Sequence, residues 1–380
     1  MLPDPFLLLA GVTLAVAVVL AVDLARGLRS LPRLRDAPAP RSSPRVSVVV
    51  AARNEAPHIA AAVLSLLNQD CPELEVVAVD DRSTDGTGEI LDRLAHTHPR
   101  LRILHVDALP AGWLGKNHAL QRGAEAATGS LLLFTDADVL MRRRTLGRAV
   151  GLMERDGLDH LAVAPRILAG TAPATAVVTV FLTLFSAFFR PWRARDPESR
   201  WHIGIGAFNL VRADAYRAIG GHGAVRLRPD DDVRLGRALK RAGYRQAAAA
   251  GTEHVEVEWY PSLGAMARGL RKNAFAVVDY RLSLVAAGTA LPVLFIFWPV
   301  AALFFTTGAV FWLNAGVVAL GVLTVADTAR AHGLRPWTGL AYPLASLLLL
   351  GIIWAAALRA VHRGAVEWRG TEYPLELLRS

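Results

Sequence analysis

The chain has 380 residues, 53% of them hydrophobic, with 42 Lys plus Arg against 33 Asp plus Glu and a formal charge of +9 at pH 7. This composition excludes intrinsic disorder, and a single cysteine, Cys71, excludes an intramolecular disulfide and a cysteine-held zinc site. Apolar residues gather in long uncharged stretches, which argues against a purely soluble protein. The basic residues are dispersed or flank those stretches, so attraction to anionic lipid accounts for the charge and no nucleic-acid partner is expected.

Residues 6–22 carry no charge and just reach the length that a helix needs to cross about 30 Å of hydrocarbon. A secretory signal is the competing reading, but Asp4 rather than a basic cluster precedes the run and the cleavage context is poor. The arginines that follow, Arg26, Arg29, Arg33, Arg35 and Arg41, predict an anchor (residues 1–25) and a basic linker (26–43) leading to a domain in the cytoplasm, at the inner membrane. Residues 44–280 alternate short apolar strands with amphipathic stretches, as expected of an α/β domain with a mainly parallel sheet. Strands are predicted at 46–51, 74–79, 101–105 and 130–134, a helix at 55–68, and Ser83 and Thr84 as the cap of a helix that carries Ile90, Leu91 and Leu94.

The apolar run 172–192 lies between two acidic motifs that must share a compartment, so an interfacial helix or a buried core helix is expected there rather than a single crossing. Residues 284–326 contain no charge, predicting a helical hairpin punctuated by Pro292, Pro299 and Asn314, and 338–358 would suffice for one more span. One anchor and about three C-terminal helices (281–358) would put the tail (359–380), with Arg359, Arg363, Arg369 and Arg379, outside. That conflicts with the positive-inside tendency and leaves the tail unassigned.

Three acidic clusters carry the chemistry. Asp80 and Asp81 end the second strand, where ligands of open α/β sheets bind; a turn with a helix cap is the plainer reading. Asp136 and Asp138 follow the strand LLLF, and two carboxylates at i and i+2 suit Mg²⁺ or Mn²⁺ shared with phosphate oxygens, solvated surface acids being the alternative. Asp230, Asp231 and Asp232 open a helix. The helix dipole explains one acid, and a second is placed to serve as general base.

In order, these clusters resemble the family 2 glycosyltransferases of GT-A fold over most of 44 to about 280: PRVSVVVAARNEAPHI, VDDRSTDGT, FTDADV and DDDVRLGRALKRAG are similar to their four motifs. PAGWLGKNHALQRGAEAATGS, GIGAFNLVRADAYRAIGGHGAVR and WRGTEY narrow the likeness to hopanoid- and carotenoid-associated membrane glycosyltransferases. The resemblance implies a metal-dependent (Mn²⁺ or Mg²⁺), inverting hexosyltransferase. It would move one sugar from a nucleotide-sugar donor, a UDP-sugar first among them, to a lipid acceptor such as a hopanoid or carotenoid. It implies Asp232 as base beside Asp231, Asp136 and Asp138 for metal and diphosphate, Asp80 or Asp81 for the nucleoside, Arg53 and Glu55 in the nucleotide pocket, and Lys116 near the diphosphate or donor sugar.

His222 is a further candidate at the site, with a structural histidine as the plainer reading. The sequence departs from the pattern in Asp231-Asp232 for the usual Glu-Asp, with Asp230 leaving the register ambiguous by one, and in Glu258-Trp259-Tyr260, which lacks the basic residue found in relatives. Arg268, Arg271 and Lys272 follow and would serve instead as phosphate or acceptor contacts. No Gln-x-x-Arg-Trp motif is present, which disfavours polymer synthesis. The alternatives are a polyprenyl-phosphate sugar synthase and, in another class, a nucleotide-binding membrane scaffold or transporter.

Overall fold

Strand β1 (Val46–Ala52) is almost wholly buried, as a run of valines without a charge requires of a strand covered on both faces. The computed structural model describes residues 4–270, 274–368 and 371–379. They divide into one unit of Leu31–Leu168 and Pro191–Glu258 and another of Met1–Ser30, Ala169–Arg190 and Trp259–Ser380.

In the first unit β1 is flanked by β2 (Leu74–Asp81), β3 (Leu101–Val106), β4 (Leu131–Asp136), β6 (His160–Ala164), β8 (Asn209–Arg212) and β9 (Gln246–Ala250). They form a seven-stranded sheet in the order β3-β2-β1-β4-β8-β6-β9. β8 runs antiparallel to both neighbours while the remaining pairs are parallel, so the mainly parallel α/β architecture expected from the sequence is found. A small sheet joins β5 (Val139–Met141), β10 (Val255–Tyr260) and β7 (Arg166–Ala169) in the order β5-β10-β7.

Alternation along β1 divides the core. Val46, Val48 and Val50 pack with Ile59, Val63 and Leu66 of α2 (Ile59–Leu67) and with Leu146 and Val150 of α5 (Thr145–Asp156). Val49 points the other way, toward Leu120 and Ala124 of α4 (Gly115–Ala126) and Leu235 and Leu239 of α8 (Asp231–Arg241). The short α7 (Ala213–Ala218) lies in this second layer. Register sets the strand ends level: Ala51 pairs with Val79 on one side and Asp136 on the other, so β2 and β4 deliver their terminal acids at one edge.

Two helix starts differ from expectation for one reason. The helix predicted from residue 55 begins at Ile59, and α3 (Thr87–Thr97) has Gly86 rather than Ser83 or Thr84 at its N-cap, with the Asp85 carboxylate just ahead accepting from the Thr87 amide (3.1 Å) and hydroxyl (2.6 Å). The residues concerned are bonded between loops. The Asn54 amide donates to Ser83 Oγ (3.0 Å), the Thr84 amide to Asn54 Oδ1 (2.8 Å), the Glu55 amide to Thr87 Oγ1 (2.8 Å) and the Ala56 amide to Asp85 Oδ2 (3.0 Å). Asn54 takes a left-handed φ of 55° in this staple, a conformation that asparagine tolerates.

The second unit holds α1 (Pro5–Ser30), α6 (Ala172–Phe189), α9 (Leu263–Leu270), α10 (Leu282–Pro292), α11 (Trp298–Phe305), α12 (Gly308–Ala331), α13 (Tyr342–Arg363), the hairpin β11 (Ala365–Trp368) and β12 (Thr371–Pro374), and α14 (Leu375–Arg379). Among the described residues, five helices are long and apolar enough to cross a membrane: Pro5–Ser30, Ala172–Arg193, Leu282–Phe305, Gly308–Ala331 and Tyr342–Arg363. Pro292 is followed by a π-helical turn, Val293–Phe297, within the third of these. The hairpin expected in 284–326 turns at Thr306 and Thr307; Asn314 lies inside α12 and donates from Nδ2 to the Val310 carbonyl (2.9 Å).

Backbone-to-backbone approach fixes α8. A Cβ on Gly236 would overlap the Ile203 carbonyl, and one on Gly204 would overlap the Asp232 carbonyl. Gly236→Ala is therefore expected to cost about 1–3 kcal/mol, read as a lower melting temperature of the full chain in detergent. Gly288→Ala, where nothing lies within 4 Å of the new methyl, is expected to cost nothing; equal melting of the two variants would refute the close approach.

Candidate active site

All the groups described next belong to the unit that contains β1. At the end of β2, Asp81 accepts two hydrogen bonds from the Arg82 guanidinium, from Nε (2.7 Å) and Nη2 (2.9 Å), with Arg53 Nη1 at 4.0 Å. Arg82 reaches it from a left-handed φ of 57°. Gly115 admits this pair, because a Cβ there would overlap Asp81 and crowd Arg82. Asp80 Oδ2 meets His105 Nδ1 at 3.3 Å, and His105 Nε2 meets Asp92 at 3.1 Å. Burial lowers the His105 basicity, but the two carboxylates outweigh it and raise its pKa. Asp80 Oδ1 is buried without a hydrogen-bond partner among the described residues, an acceptor that a donor group would satisfy.

The second focus is Lys116, in the first turn of α4. Its Nζ lies 2.8 Å from Asp136 Oδ1 and 3.6 Å from Asp231 Oδ1. Burial opposes the charge of Lys116, but Asp136, Asp231 and Asp232 together drive its pKa far up. These groups surround Gly206: a Cβ there would stand 3.0 Å from Asp136 Oδ2, 3.5 Å from Asp232 Oδ2 and 3.6 Å from Lys116 Nζ. Four segments distant in sequence thus converge on one point. Asn117 holds two of them together, donating from Nδ2 to the carbonyls of Val225 (2.7 Å) and Arg228 (2.9 Å) just ahead of α8.

The three aspartates that open α8 have different surroundings. Asp230 accepts from Arg228 Nε (3.2 Å) and Arg234 Nε (2.8 Å), a local ion-paired cap. Asp231 is buried beside Lys116, with His222 Nε2 at 3.7 Å from its other oxygen. Burial works against its charge, yet the Lys116 ammonium and then His222 hold its carboxyl below the usual range. Asp232 accepts from the Val233 amide (2.8 Å), and burial followed by the charge of Asp231 pushes its pKa up to about 7. Two adjacent carboxyls are thereby driven apart, one held ionised and one titrating near neutrality.

His222 is wholly inside. Its Nδ1 meets the Tyr216 hydroxyl at 2.8 Å and its ring stands edge-on to Phe134, 4.7 Å between centroids. Burial first of all lowers its pKa, so the neutral ring is bracketed by Tyr216 and Asp231. Asp138 is raised to about 6 by burial and then by the charges of Asp136 and Glu55, a crowding of acids that a cation would relieve. No group of three or more His, Cys, Asp or Glu side chains able to hold a metal forms among the described residues. Asp136 and Asp138 fit an ion that draws its other ligands from phosphate oxygens and water.

Of the candidates from sequence, Asp136, Asp231, Asp232, Lys116 and His222 meet in one cluster, and Arg53, Asp80 and Asp81 in a neighbouring one at the same sheet edge. Glu55 lies in the loop after β1, where its charge acts on Asp138. Arg268 sits on α9 in the other unit, and Arg271 and Lys272 lie outside the described residues. Sequence reading missed Asn54, Asp85, Asn117, Tyr216 and Gly206. Asn117 stood next to Lys116 in GWLGKN and was the most accessible of these; no spacing announces the others.

Residues 47–220 match the family described as Glycosyl transferase family 2. A beta-monoglucosyldiacylglycerol synthase of Nostoc sp. is 35% identical over 124 residues, 32% of this chain and 26% of that protein. A 4,4'-diaponeurosporenoate glycosyltransferase of Staphylococcus aureus is 29% identical over 187 residues, 47% of this chain and 46% of that protein. The chain therefore spans between a quarter and a half of the length of these curated relatives. A mannosyltransferase from Pyrobaculum calidifontis, solved in complex with GDP-Man and Mn²⁺, aligns over 94% of this chain and 99% of its own with a TM-score of 0.55 at 22% identity, a likeness of fold.

Lys116→Met leaves Asp136, Asp231 and Asp232 facing one another without their ammonium. Lys116 is a quarter exposed and Asp136 more so, so the cost is expected to lie below the about 3–5 kcal/mol of a fully buried pair and to be read as a lower melting temperature. Protonation relieves like-charge repulsion, so the deficit relative to the parent should shrink from pH 8 to pH 5. A deficit that is constant with pH would show that Lys116 acts by packing alone.

Proposed function

We propose that this chain, whose residues 47–220 match Glycosyl transferase family 2, moves a single sugar from a nucleotide-sugar donor to a hydroxyl of a lipid-soluble acceptor, with inversion at the anomeric carbon. The observation that carries the proposal is the convergence around Gly206 of a carboxyl with a pKa near 7, a carboxylate at a strand end and a half-buried ammonium. The lipid-soluble acceptor is supported by relatives named for diacylglycerol and diaponeurosporenoate and by the five apolar helices. On this reading the protein is integral to the inner membrane and works at its cytoplasmic face.

The acceptor hydroxyl gives its proton to Asp232 as its oxygen attacks the anomeric carbon, on the face opposite the diphosphate. The bond from that carbon to the diphosphate oxygen breaks, and the nucleoside diphosphate departs with the electron pair. Lys116 stabilises the negative charge that develops on it. Asp231, kept ionised, holds Lys116 in place and keeps the pKa of Asp232 high enough to accept a proton near neutral pH. Asp136 and Asp138 would hold Mn²⁺ or Mg²⁺, whose chemistry is to neutralise the same leaving charge. Asp80, through its unsatisfied oxygen, and the Arg53–Asp81–Arg82 group would receive the nucleoside. Glu55 lines the same edge.

The test is turnover of a panel of nucleotide sugars by the detergent-purified full chain with extracted lipids, in Mn²⁺, Mg²⁺ or EDTA. Release of nucleoside diphosphate with one donor, lost in EDTA, is expected, and an acceptor that must carry a phosphate would indicate polyprenyl-phosphate glycosylation instead. Asp232→Asn should lower kcat by about 10²–10⁴ with donor binding retained; unchanged turnover removes Asp232 as base. A base must be deprotonated to act, so with its pKa raised to about 7 the parent's kcat should fall tenfold per pH unit below that value and level off above it. A profile flat from pH 5 to 8 would contradict the assignment.

A further inference from the structure

Five helices have the length and apolarity of membrane spans, but their ends limit how many can cross. Strand β4 precedes α6 and strands β8 and β9 follow it, yet all three belong to one sheet. A crossing by α6 would leave those strands on opposite sides of the bilayer, so both ends of α6 lie on one side. α1 and α12 run parallel: Leu14 packs against Gly316, and Arg29 meets Asp327 at 2.7 Å. Phe6 stacks on Trp298, ring centroids 5.9 Å apart, which places the turn at Thr306 and Thr307 at the N-terminal end of α1. The other end, with Ser30, Leu282 and Ala331, is tied to the β1-containing unit through Leu31.

The tail then decides α13. Arg379 donates from Nη2 to the carbonyl of Tyr280 (3.0 Å), immediately ahead of α10. Between these two residues the chain contains the span Leu282–Phe305, α12 and α13, and three crossings would separate them by a bilayer. Depth markers identify the segment that stays. Tyr342, which opens α13, packs on Gly321, ten residues back from the end of α12 and about 15 Å into the membrane at 1.5 Å per residue. Further along, Trp354 Nε1 donates to Thr289 Oγ1 (2.9 Å), seven residues from the start of α10 and so about 10 Å deep. α13 therefore starts within the membrane and rises to the side from which α10 departs. The 3₁₀ turn that carries it inward, Pro336–Gly339, lies with Gly339 against Val322 and Ala326 of α12, which shelter its backbone from hydrocarbon.

We propose that the chain crosses the bilayer three times, by α1, by Leu282–Phe305 and by α12. α6 and α13, which pack together, form a pair embedded in the leaflet on the side of the β1-containing unit, and residues 364–368 and 371–379 return to that side. The occupant of their exposed apolar faces, Leu184 and Phe188 of α6 and Leu344, Leu347 and Leu358 of α13, is the acyl region of that leaflet. Charge agrees. In this arrangement Arg26, Arg29, Arg281, Arg330, Arg335, Arg359 and Arg363 all gather on one side, and the opposite ends, around Asp4 and Thr307, carry no Lys or Arg. A crossing α13 would divide the arginines between both sides.

The test uses the full chain with its one cysteine removed (Cys71→Ala) and single cysteines at four exposed positions: Glu198, Thr307, Gly364 and Glu376. Sealed vesicles of each orientation are treated with a membrane-impermeant maleimide, and total thiol is measured after detergent. Labelling of 364 and 376 in the same vesicles as 198, with 307 labelled only in the opposite ones, is the expected result. Labelling of either tail position together with 307 would overturn the proposal, and the two tail sites guard against one poorly folded variant. The outcome is independent of which reaction the protein performs.

Discussion

Like charges brought together away from water repel strongly unless a counter-charge is placed among them, and the site depends on the one at Lys116. Asp136 ends a strand while Asp231 and Asp232 open a helix, so neither element alone brings these acids together. The ammonium on a third element lies 2.8 Å from one of them and 3.6 Å from another. Its attraction is unequally shared. Asp231 is kept ionised, Asp232 is left near neutrality, and the difference between two neighbouring residues of the same type comes from placement alone.

That placement rests on missing side chains and on loops bonded to loops. Gly204 and Gly236 let α8 lie backbone against backbone on the segment before β8, and Gly206 leaves open the space toward which Asp136, Asp232 and Lys116 turn. At the next strand end, residues 54–56 and 83–87 exchange four hydrogen bonds, so the loops after β1 and β2 form one body. The sheet supplies the level edge and the loops supply the rigidity, leaving the acids little freedom to relax away from one another.

The α/β class, the first four strands and the three acidic clusters were legible because buried parallel strands read as unbroken apolar runs and their carboxyl ends are marked by the first acids. The register of Asp230, Asp231 and Asp232 was not, since three identical residues carry no phase. It follows from Arg228 and Arg234, which occupy Asp230, and from Lys116, which reaches Asp231. Ser83 and Thr84 looked like a cap because their residue types suit one. Asn54, some thirty residues earlier, takes them, and only the pairing of β1 with β2 brings it there. That α6 does not cross alone was legible from the acidic motifs on either side of it, whereas hydropathy measured the length of α13 but not where its end returns, which is a matter of Arg379 finding Tyr280.

The ion pair between Arg29 and Asp327 joins residues separated by 298 positions. At ribosomal rates of about 5–20 residues per second, α1 must wait roughly 15–60 s before its partner helix is synthesised. During that interval α1 has no α12 to pack against, and Arg190, the partner of Asp23, is itself made 167 residues later. The whole β1-containing unit emerges and can fold before α12 exists. Assembly of these helices is thus a late event, timed by translation, and a chain interrupted before residue 327 would present the β1-containing unit joined to an α1 without its mate.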